Sequence, residues 1–306
     1  MQLQQSADES IRSGLPEGLT AVKVLKQSGC STYRRELRSM FLLRHANLVR
    51  LLGFCNQDTG QAFRALVYEY MGKKSLDIYI FGDKVQRATL GWLRRLNIIY
   101  EIAEGMKYMH VGSGVQMIHR DLKPHNILLD DNWTPKIPDF GLAMLFSPDE
   151  AKQHTQHIAL QGYTAPECFS SSDVTPKSDV YSFGVVLLEI ITGRQNEISQ
   201  RLLPHVWNFW DNHRSHCPNH GPGCTLELLD RDVPRPDEES LRRLQICVTV
   251  GLLCVQDSRD DRPDMPAVAD MLKSQDLPRI NPSRQTLHGM EVGESSSGTT
   301  ATEDLP

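Results

Sequence analysis

The apolar residues change period part-way along the chain. Residues 19–26, LTAVKVLK, are rich in β-branched and aliphatic side chains and predict a strand with Lys23 projecting from one face. Ser31 is a candidate N-cap for a helix running to about Leu43. Tyr33, Leu37, Met40 and Phe41 recur along it at helical spacing, and Glu36 is expected on a different part of its surface. LVRLLGFC (48–55) and RALVYEYM (64–71) predict two more strands. This first part reads as a small, strand-rich unit carrying one helix.

From about residue 74 the period is helical. Leu96, Ile99, Ile102, Ala103, Met106 and Met109 are mostly three or four apart, predicting a long buried helix over 93–110. SDVYSFGVVLLEIITGR (178–194) is apolar almost all round, as a helix at the centre of a lobe should be, and Gly193 supplies its stop. SLRRLQICVTVGLLCV (240–255) and MPAVADMLKSQ (265–275) predict further helices. Residues 279–306, with much Ser, Thr and Gly and few large apolar side chains, read as a disordered tail. No internal repeat is visible.

Composition sets bounds on these elements. The chain has 306 residues, 40% hydrophobic and 23% charged, enough for one large globular domain or two lobes. A net charge of -5 offers no bulk attraction to nucleic acid or to an anionic membrane. Cysteines at 30, 55, 168, 217, 224, 247 and 254 are scattered and odd in number, the usage of free thiols in a reducing compartment. The start, MQLQQSADES, lacks a secretory signal, and Gln2 stands where N-myristoylation needs Gly. The best apolar run, 180–193, is shorter than the ~20 residues of a bilayer span and is interrupted by Glu189. As written, the chain is expected to be soluble and cytoplasmic, without a membrane span.

Against that background IHRDLKPHNILL (118–129) stands out, a very polar run closed by three apolar residues. HRDLKPHN (119–126) is followed by DFG (139–141), APE (165–167) and SDVYSFG (178–184), and preceded by AVK (21–23) and by Glu36. In this order the motifs resemble the eukaryotic protein kinases over roughly residues 15–278. HANLVRLLGFC, LVYEYM, DVYSFGVVLLEIITGR and GLLCVQDSRDDRP are similar to plant receptor-like kinases of the cysteine-rich and S-locus type. That resemblance implies an α+β, bilobal kinase fold, with an incomplete β-rich small lobe at 15–71 after a remnant at 1–14. A larger α-helical lobe would follow at 72–278.

It also implies Ser/Thr phosphorylation of protein substrates with ATP and Mg²⁺ as cofactors. A receptor-kinase partner, and a place at the cytoplasmic face of the plasma membrane within a longer receptor, are implied too. Phosphoryl transfer asks a protein for positioning and for neutralisation of phosphate charge. Asp121 would accept the proton of the acceptor hydroxyl or orient it, and Lys123 would lie near the transferred phosphate. Asn126 and Asp139 would hold magnesium through hard oxygen ligands. Lys23, paired with Glu36, would grip the α/β-phosphates, and the backbone of Glu69 and Met71 would meet adenine with Tyr68 behind it. Glu167 would pair with Arg262, and Asp179 would tie the catalytic loop to the central helix. Arg120 implies an activating phosphate between Asp139 and Glu167, with Thr155 the first choice.

Some residues depart from the family pattern. No G-x-G-x-x-G precedes SIRSGLPEGLTAVK, so the first strand and glycine loop look absent and a strand edge would be exposed. Ala159-Leu160 replaces the usual Gly-Thr before the GY pair, and Pro138 removes a backbone donor before Asp139. Two readings stand side by side: a working Ser/Thr kinase, and a pseudokinase serving as a nucleotide-binding or scaffold module. HRSHCPNHGPGC (213–224) holds three His and two Cys but no standard zinc spacing, and reads as a polar surface insertion.

Overall fold

The structure, a computed structural model, describes residues 19–25, 30–57, 63–138, 143–145, 162–170, 174–196, 202–216 and 222–283. Three antiparallel strands open it: β1 (Thr20–Leu25), β2 (Leu51–Gln57) and β3 (Phe63–Glu69), in the order β1-β3-β2. Register places Lys23, Leu66 and Phe54 side by side across the sheet. Helix α1 (Cys30–Leu42) connects β1 to β2 in sequence, and the Tyr33 hydroxyl on it donates to the Cys55 carbonyl at 3.1 Å. Within the described residues β1 is an edge of this sheet.

Two expectations for α1 are corrected. The helix begins at Cys30, so Ser31 lies in its first turn and not at the cap. Glu36 is only 1% exposed and shares the buried side with Tyr33 and Met40, whereas Phe41 is 60% exposed. Positions 33, 36 and 40 are three and four apart, so helical geometry brings Glu36 onto the inner face. A carboxylate is tolerated there because its partners, Lys23 and Tyr68, come from the sheet.

The connection between lobes is short and stitched down. After Met71, β4 (Lys74–Ser75) precedes α2 (Asp77–Ile80), α3 (Lys84–Thr89) and α4 (Trp92–Lys107). Then come β5 (Met117–Ile118), β6 (Leu128–Leu129), β7 (Pro135–Lys136) and β8 (Met144–Leu145). β4 pairs with β6, and β6 with β7, so the connecting segment lies on the hairpin that follows the polar run 119–126. Gly72 lies close to Asp131 there: a Cβ would sit 2.0 Å from the Asp131 carboxylate, which would have to swing aside. Val49 N–H donates to the Ile137 carbonyl at 3.1 Å and Ile137 N–H to Asn47 at 2.8 Å, a second seam between the lobes.

The large lobe is completed by α5 (Pro166–Ser170), α6 (Pro176–Thr192), α7 (Leu202–His216), α8 (Glu238–Cys254) and α9 (Met265–Lys273). Every residue of α6 from Ser178 to Thr192 is buried, as its uniform apolar pattern requires. Thr175 caps it by accepting from Lys177 N–H at 3.2 Å, and Gly193 ends it at φ 63°, the left-handed conformation that glycine adopts without steric penalty. α8 packs closely on α6 at Gly184, where a Cβ would approach that of Cys254 to 2.6 Å.

Sequence periodicity had not identified α7. Residues 213–216 of the His- and Cys-rich stretch close this helix, and a short 3-10 turn covers Pro222–Glu227. Positions 217–221 lie outside the described residues, among which no group of His, Cys, Asp and Glu could hold a metal. Nor is any described helix long and apolar enough to cross a membrane. The expected tail is described only to residue 283, without helix or strand.

Candidate active site

Asp179, at the start of α6, organises the polar run. It is 1% exposed; its Oδ2 accepts His119 N–H at 2.7 Å and its Oδ1 accepts Arg120 N–H at 2.9 Å. His110 Nε2 lies 3.0 Å from Oδ2. Burial alone would raise this carboxyl, but the His110 hydrogen bond, the electrostatic influence of the two nearby imidazoles and the Arg120 N–H together lower it. These bonds hold Arg120 at φ 72°, a conformation that costs a non-glycine residue on the order of 1–3 kcal/mol. The strained turn at 120 presents the next residue, Asp121.

His119 fixes the other side of that turn. Its Nδ1 accepts Asp121 N–H at 3.3 Å, which makes Nε2 the protonated nitrogen, donating to the Pro138 carbonyl at 2.9 Å. Pro138 thus contributes through its carbonyl, a bond that its missing N–H does not affect. Position 139 follows directly, but Asp139 lies outside the described residues, as do Thr155, Ala159 and Leu160.

Around Asp121 the predicted residues converge. Asn126 Nδ2 donates to the Asp121 carbonyl at 2.9 Å and to Oδ2 at 2.6 Å. The amide must face Asp121 with its nitrogen, since its oxygen would repel a carboxylate, so Asn126 Oδ1 points elsewhere. Lys123 Nζ is 3.2 Å from Asp121 Oδ1 without the alignment of a hydrogen bond, and this buried oxygen retains an open lone pair. One carboxylate oxygen is therefore clamped, and the other is available for a hydroxyl.

In the small lobe, Lys23 Nζ meets both Glu36 oxygens, at 3.1 and 3.0 Å, and the Tyr68 hydroxyl donates to Oε1 at 2.5 Å. The pair is asymmetric: the Lys23 side chain is 29% exposed and that of Glu36 only 1%. The ammonium is held in place and stays partly exposed to solvent. Along the connection, Glu69 N–H donates to the Arg50 carbonyl at 3.1 Å, so Glu69 has only its carbonyl to offer a nucleobase. Met71 accepts from Lys74 N–H at 3.1 Å; its own N–H has no partner among the described residues.

Two further anchors frame the site. Arg262 forms a two-pronged pair with Glu167, both contacts at 2.8 Å, and stacks 5.0 Å over Tyr181. Gly162, Tyr163 and Ser182 are linked as well: the Tyr163 hydroxyl donates to buried Glu189 at 2.8 Å, and the Ser182 hydroxyl to the Tyr163 carbonyl at 2.8 Å. Asn196 Nδ2 completes the set on the Gly162 carbonyl at 2.6 Å.

Residues 11–233 match the family described as protein tyrosine and serine/threonine kinase. The chain belongs to the protein kinase family. A G-type lectin S-receptor-like serine/threonine-protein kinase of Arabidopsis thaliana is 41% identical over 262 residues, 82% of this chain and 29% of that protein. Cysteine-rich receptor-like protein kinase 34 of the same plant is 41% identical, over 83% of this chain and 37% of its own. Cysteine-rich receptor-like protein kinase 6 of Oryza sativa subsp. japonica is 40% identical, over 95% of this chain and 41% of its own. The chain spans less than half the length of these relatives.

Protein kinases use ATP and magnesium, and the donor set suits them. An open amide oxygen on Asn126 is a hard ligand, and Lys23 is a fixed cation for phosphate. His110 and His119 had drawn no role from the sequence. Their partners, Asp179 and Pro138, are 69 and 19 positions away, beyond the reach of any local period.

Proposed function

We propose that the chain is a protein serine/threonine kinase domain, transferring the ATP γ-phosphate to protein hydroxyls in receptor-like kinase signalling. The observation that carries this reading is the loop in which Asn126 clamps one oxygen of Asp121 and leaves the other open beside Lys123. Magnesium–ATP, when bound, supplies the transferable phosphoryl group and a cation that screens its charge. Asn126 and Asp139 would hold that cation; Lys23 would hold the α/β-phosphates; Glu69 and Met71 would meet adenine.

The residues of this chain do the positioning. Asp121 Oδ1 accepts a hydrogen bond from the acceptor hydroxyl, aims its oxygen, and takes the proton as the hydroxyl attacks. Lys123 offsets negative charge at the same place, and Glu36 keeps Lys23 extended toward the phosphates. Asp179 holds the loop that carries all three catalytic-loop groups, so it is a positioning residue. In this reading residues 15–71 form the small lobe and 72–278 the large one. The acceptors are proteins, and the domain works at the cytoplasmic face of a membrane as part of a longer receptor-like chain.

Ala159-Leu160 in place of Gly-Thr favours the competing reading of a pseudokinase, because leucine has no hydroxyl to bond Asp121 and Lys123. Incubation with γ-labelled ATP and a Ser/Thr peptide separates the two. Label incorporation that Asp121→Asn reduces by about 10²–10⁴-fold supports the kinase. Nucleotide binding without incorporation supports the pseudokinase.

A further inference from the structure

Trp133, in the turn between β6 and β7, is held in an unusual conformation. Its φ is 69°, in the left-handed region that a bulky aromatic residue rarely occupies. Hydrogen bonds around it impose this shape. Trp133 N–H donates to the Asp130 carbonyl at 3.0 Å, and Asp130 Oδ1 accepts the N–H groups of Asn132 and Thr134 at 2.9 and 2.8 Å. The turn delivers the indole onto three other segments. Lys73 Nζ and the Arg94 guanidinium carbon each lie 5.0 Å from its ring centroid, and Tyr79 meets it edge-on with centroids 4.9 Å apart. Lys73 belongs to the connection between the lobes, Tyr79 to α2 and Arg94 to the first turn of α4. A second left-handed residue lies beside the first: Lys74, next to Lys73, has φ 64°.

Such conformations persist only where neighbouring contacts over-determine them, and they gather where position matters to function. The path from the indole to the nucleotide side is short. Lys74 N–H donates to the Met71 carbonyl, closing a turn that contains Gly72 and Lys73. Lys73 N–H donates to the Leu129 carbonyl on β6, and both bonds are 3.1 Å long. Met71 begins this turn, and its N–H is the donor expected to meet adenine. We infer that Trp133 is a positioning residue for the nucleotide: its ring holds the Lys73 ammonium by cation–π attraction, and through the 71–74 turn it fixes the Met71 N–H. Leu129 lies three residues beyond Asn126, so the hairpin that carries Trp133 continues directly from the catalytic loop. One element thereby sets the adenine side and the acceptor side in register. This role rests on the kinase reading, which supplies Met71 as an adenine contact. Core filling is the rival role, since Trp133 and Tyr79 are half-buried against the core. The two cations favour the clamp, because a core filler needs neither Lys73 nor Arg94 over its ring.

Trp133→Gly removes the ring while suiting the left-handed turn, so it tests the clamp without breaking the backbone. Amide exchange over residues 71–76 and titration with a fluorescent ADP analogue plus magnesium are measured on the full chain. Peptide phosphorylation at varied ATP is measured alongside. Trp133→Gly should speed exchange at 71–76 at least tenfold and leave α8 unchanged. Nucleotide binding should weaken about three- to tenfold, the scale of one or two lost cation–π contacts. KM for ATP should rise by the same factor, with kcat and the KM for peptide within about twofold of the wild type. Lys73→Met keeps the aliphatic stem but loses the charge, and should reproduce most of the nucleotide effect; Trp133→Tyr should recover most of it. Lys73 is outside the core, so its variant serves even where the glycine variant fails to fold. Exchange that rises equally in α8, or nucleotide affinity unchanged by Trp133→Gly or by Lys73→Met, overturns the inference. A wild type that transfers phosphate while these variants bind nucleotide normally refutes the clamp alone. Binding that weakens as expected in a chain without transfer upholds the clamp and removes the kinase reading. A wild type that binds no nucleotide removes both.

Discussion

The two lobes solve the problem of buried charge in different ways. In the large lobe Arg95 and Asp230 are essentially inaccessible and locked together at 2.8 Å. Asp230 is held further by Arg87 at 2.5 Å, and Arg95 by the carbonyls of Leu90 and Ile190 at 2.9 and 2.6 Å. In the small lobe Glu36 is equally buried, yet its partner Lys23 remains 29% exposed. One network is closed and structural; the other keeps its lysine partly exposed. The apolar surroundings differ in the same sense, with α6 enclosed all round while Val24, Phe41 and Phe54 stand more than half exposed. A thinly covered lobe is thereby attached to one whose central helix is fully enclosed.

The largest effect should come from breaking the closed network. Asp230→Ala leaves the Arg95 guanidinium buried without its carboxylate, a loss of about 3–5 kcal/mol. The carbonyls that remain on Arg95 put the value toward the lower end. Urea unfolding measures it, and a loss below about 1 kcal/mol would mean that the network contributes no structural hold.

Asp179→Asn comes next, at about 1.5–3 kcal/mol for weakened bonds from the His119 and Arg120 N–H groups to a charged acceptor. It should also lower the phosphorylation rate, because Arg120 is then free to leave its strained φ and Asp121 moves with it. The pH dependence has a definite sign. The Asp179 carboxyl is held below its ordinary value of 3.8, so its ionised form stabilises the fold at neutral pH, and this is lost as pH falls below about 4. The stability gap between wild type and Asp179→Asn should close as the pH falls into stronger acid. A gap that widens in acid would contradict the assignment.

Glu36→Gln should separate stability from activity. It removes the ion pair but keeps an acceptor for the Tyr68 hydroxyl, and a partly exposed pair contributes about 0–1 kcal/mol to folding. Turnover should nevertheless fall tenfold or more, since Lys23 loses the group that aims it; tenfold is about 1.4 kcal/mol of barrier. Kinetics and thermal melts on the same sample check both halves. Equal losses in both would make the pair structural, like that of Arg95.

Thiol reactivity gives the smallest and most local contrast. Burial pushes Cys247 up to about 12, and Cys254 still higher, leaving roughly 10⁻⁴ of Cys247 as thiolate at pH 8. Half-buried Cys55 on β2 should be alkylated well before either. Mass spectrometry of a timed iodoacetamide reaction reads the order, and early labelling of Cys247 would show that the large lobe opens readily.

Much of the large lobe was legible in the sequence because its helices announce themselves locally: the largely apolar run 180–191, broken only by Ser182 and Glu189, predicts a central helix. The order of the kinase motifs likewise pointed to Asp121, Lys123 and Asn126 before any geometry. What escaped was set by partners distant in sequence. Glu36 is charged, so pattern alone assigns it to the surface, and only the sheet's Lys23 and Tyr68 make its burial possible. Arg95 reads as one polar residue in a helix until Asp230, 135 positions later, closes on it. Phe41 errs in the opposite direction: its spacing is that of a core residue, yet it is 60% exposed and edge-on to Phe54 of β2. Helix α7 mixes Trp, Phe, Asn and His without a clean period, which is why only the structure reveals it.

The central claim is that an anchored loop presents Asp121 to an acceptor hydroxyl opposite a lysine aimed by Glu36. Single-turnover transfer of label from γ-labelled ATP to a Ser/Thr peptide tests it most directly, using wild type, Asp121→Asn and Lys23→Met with matched circular dichroism. The account predicts phosphoserine or phosphothreonine from the wild type and at least a hundredfold slower transfer from each variant, with all three folded. Transfer that persists at the wild-type rate in the folded Asp121→Asn protein would contradict it.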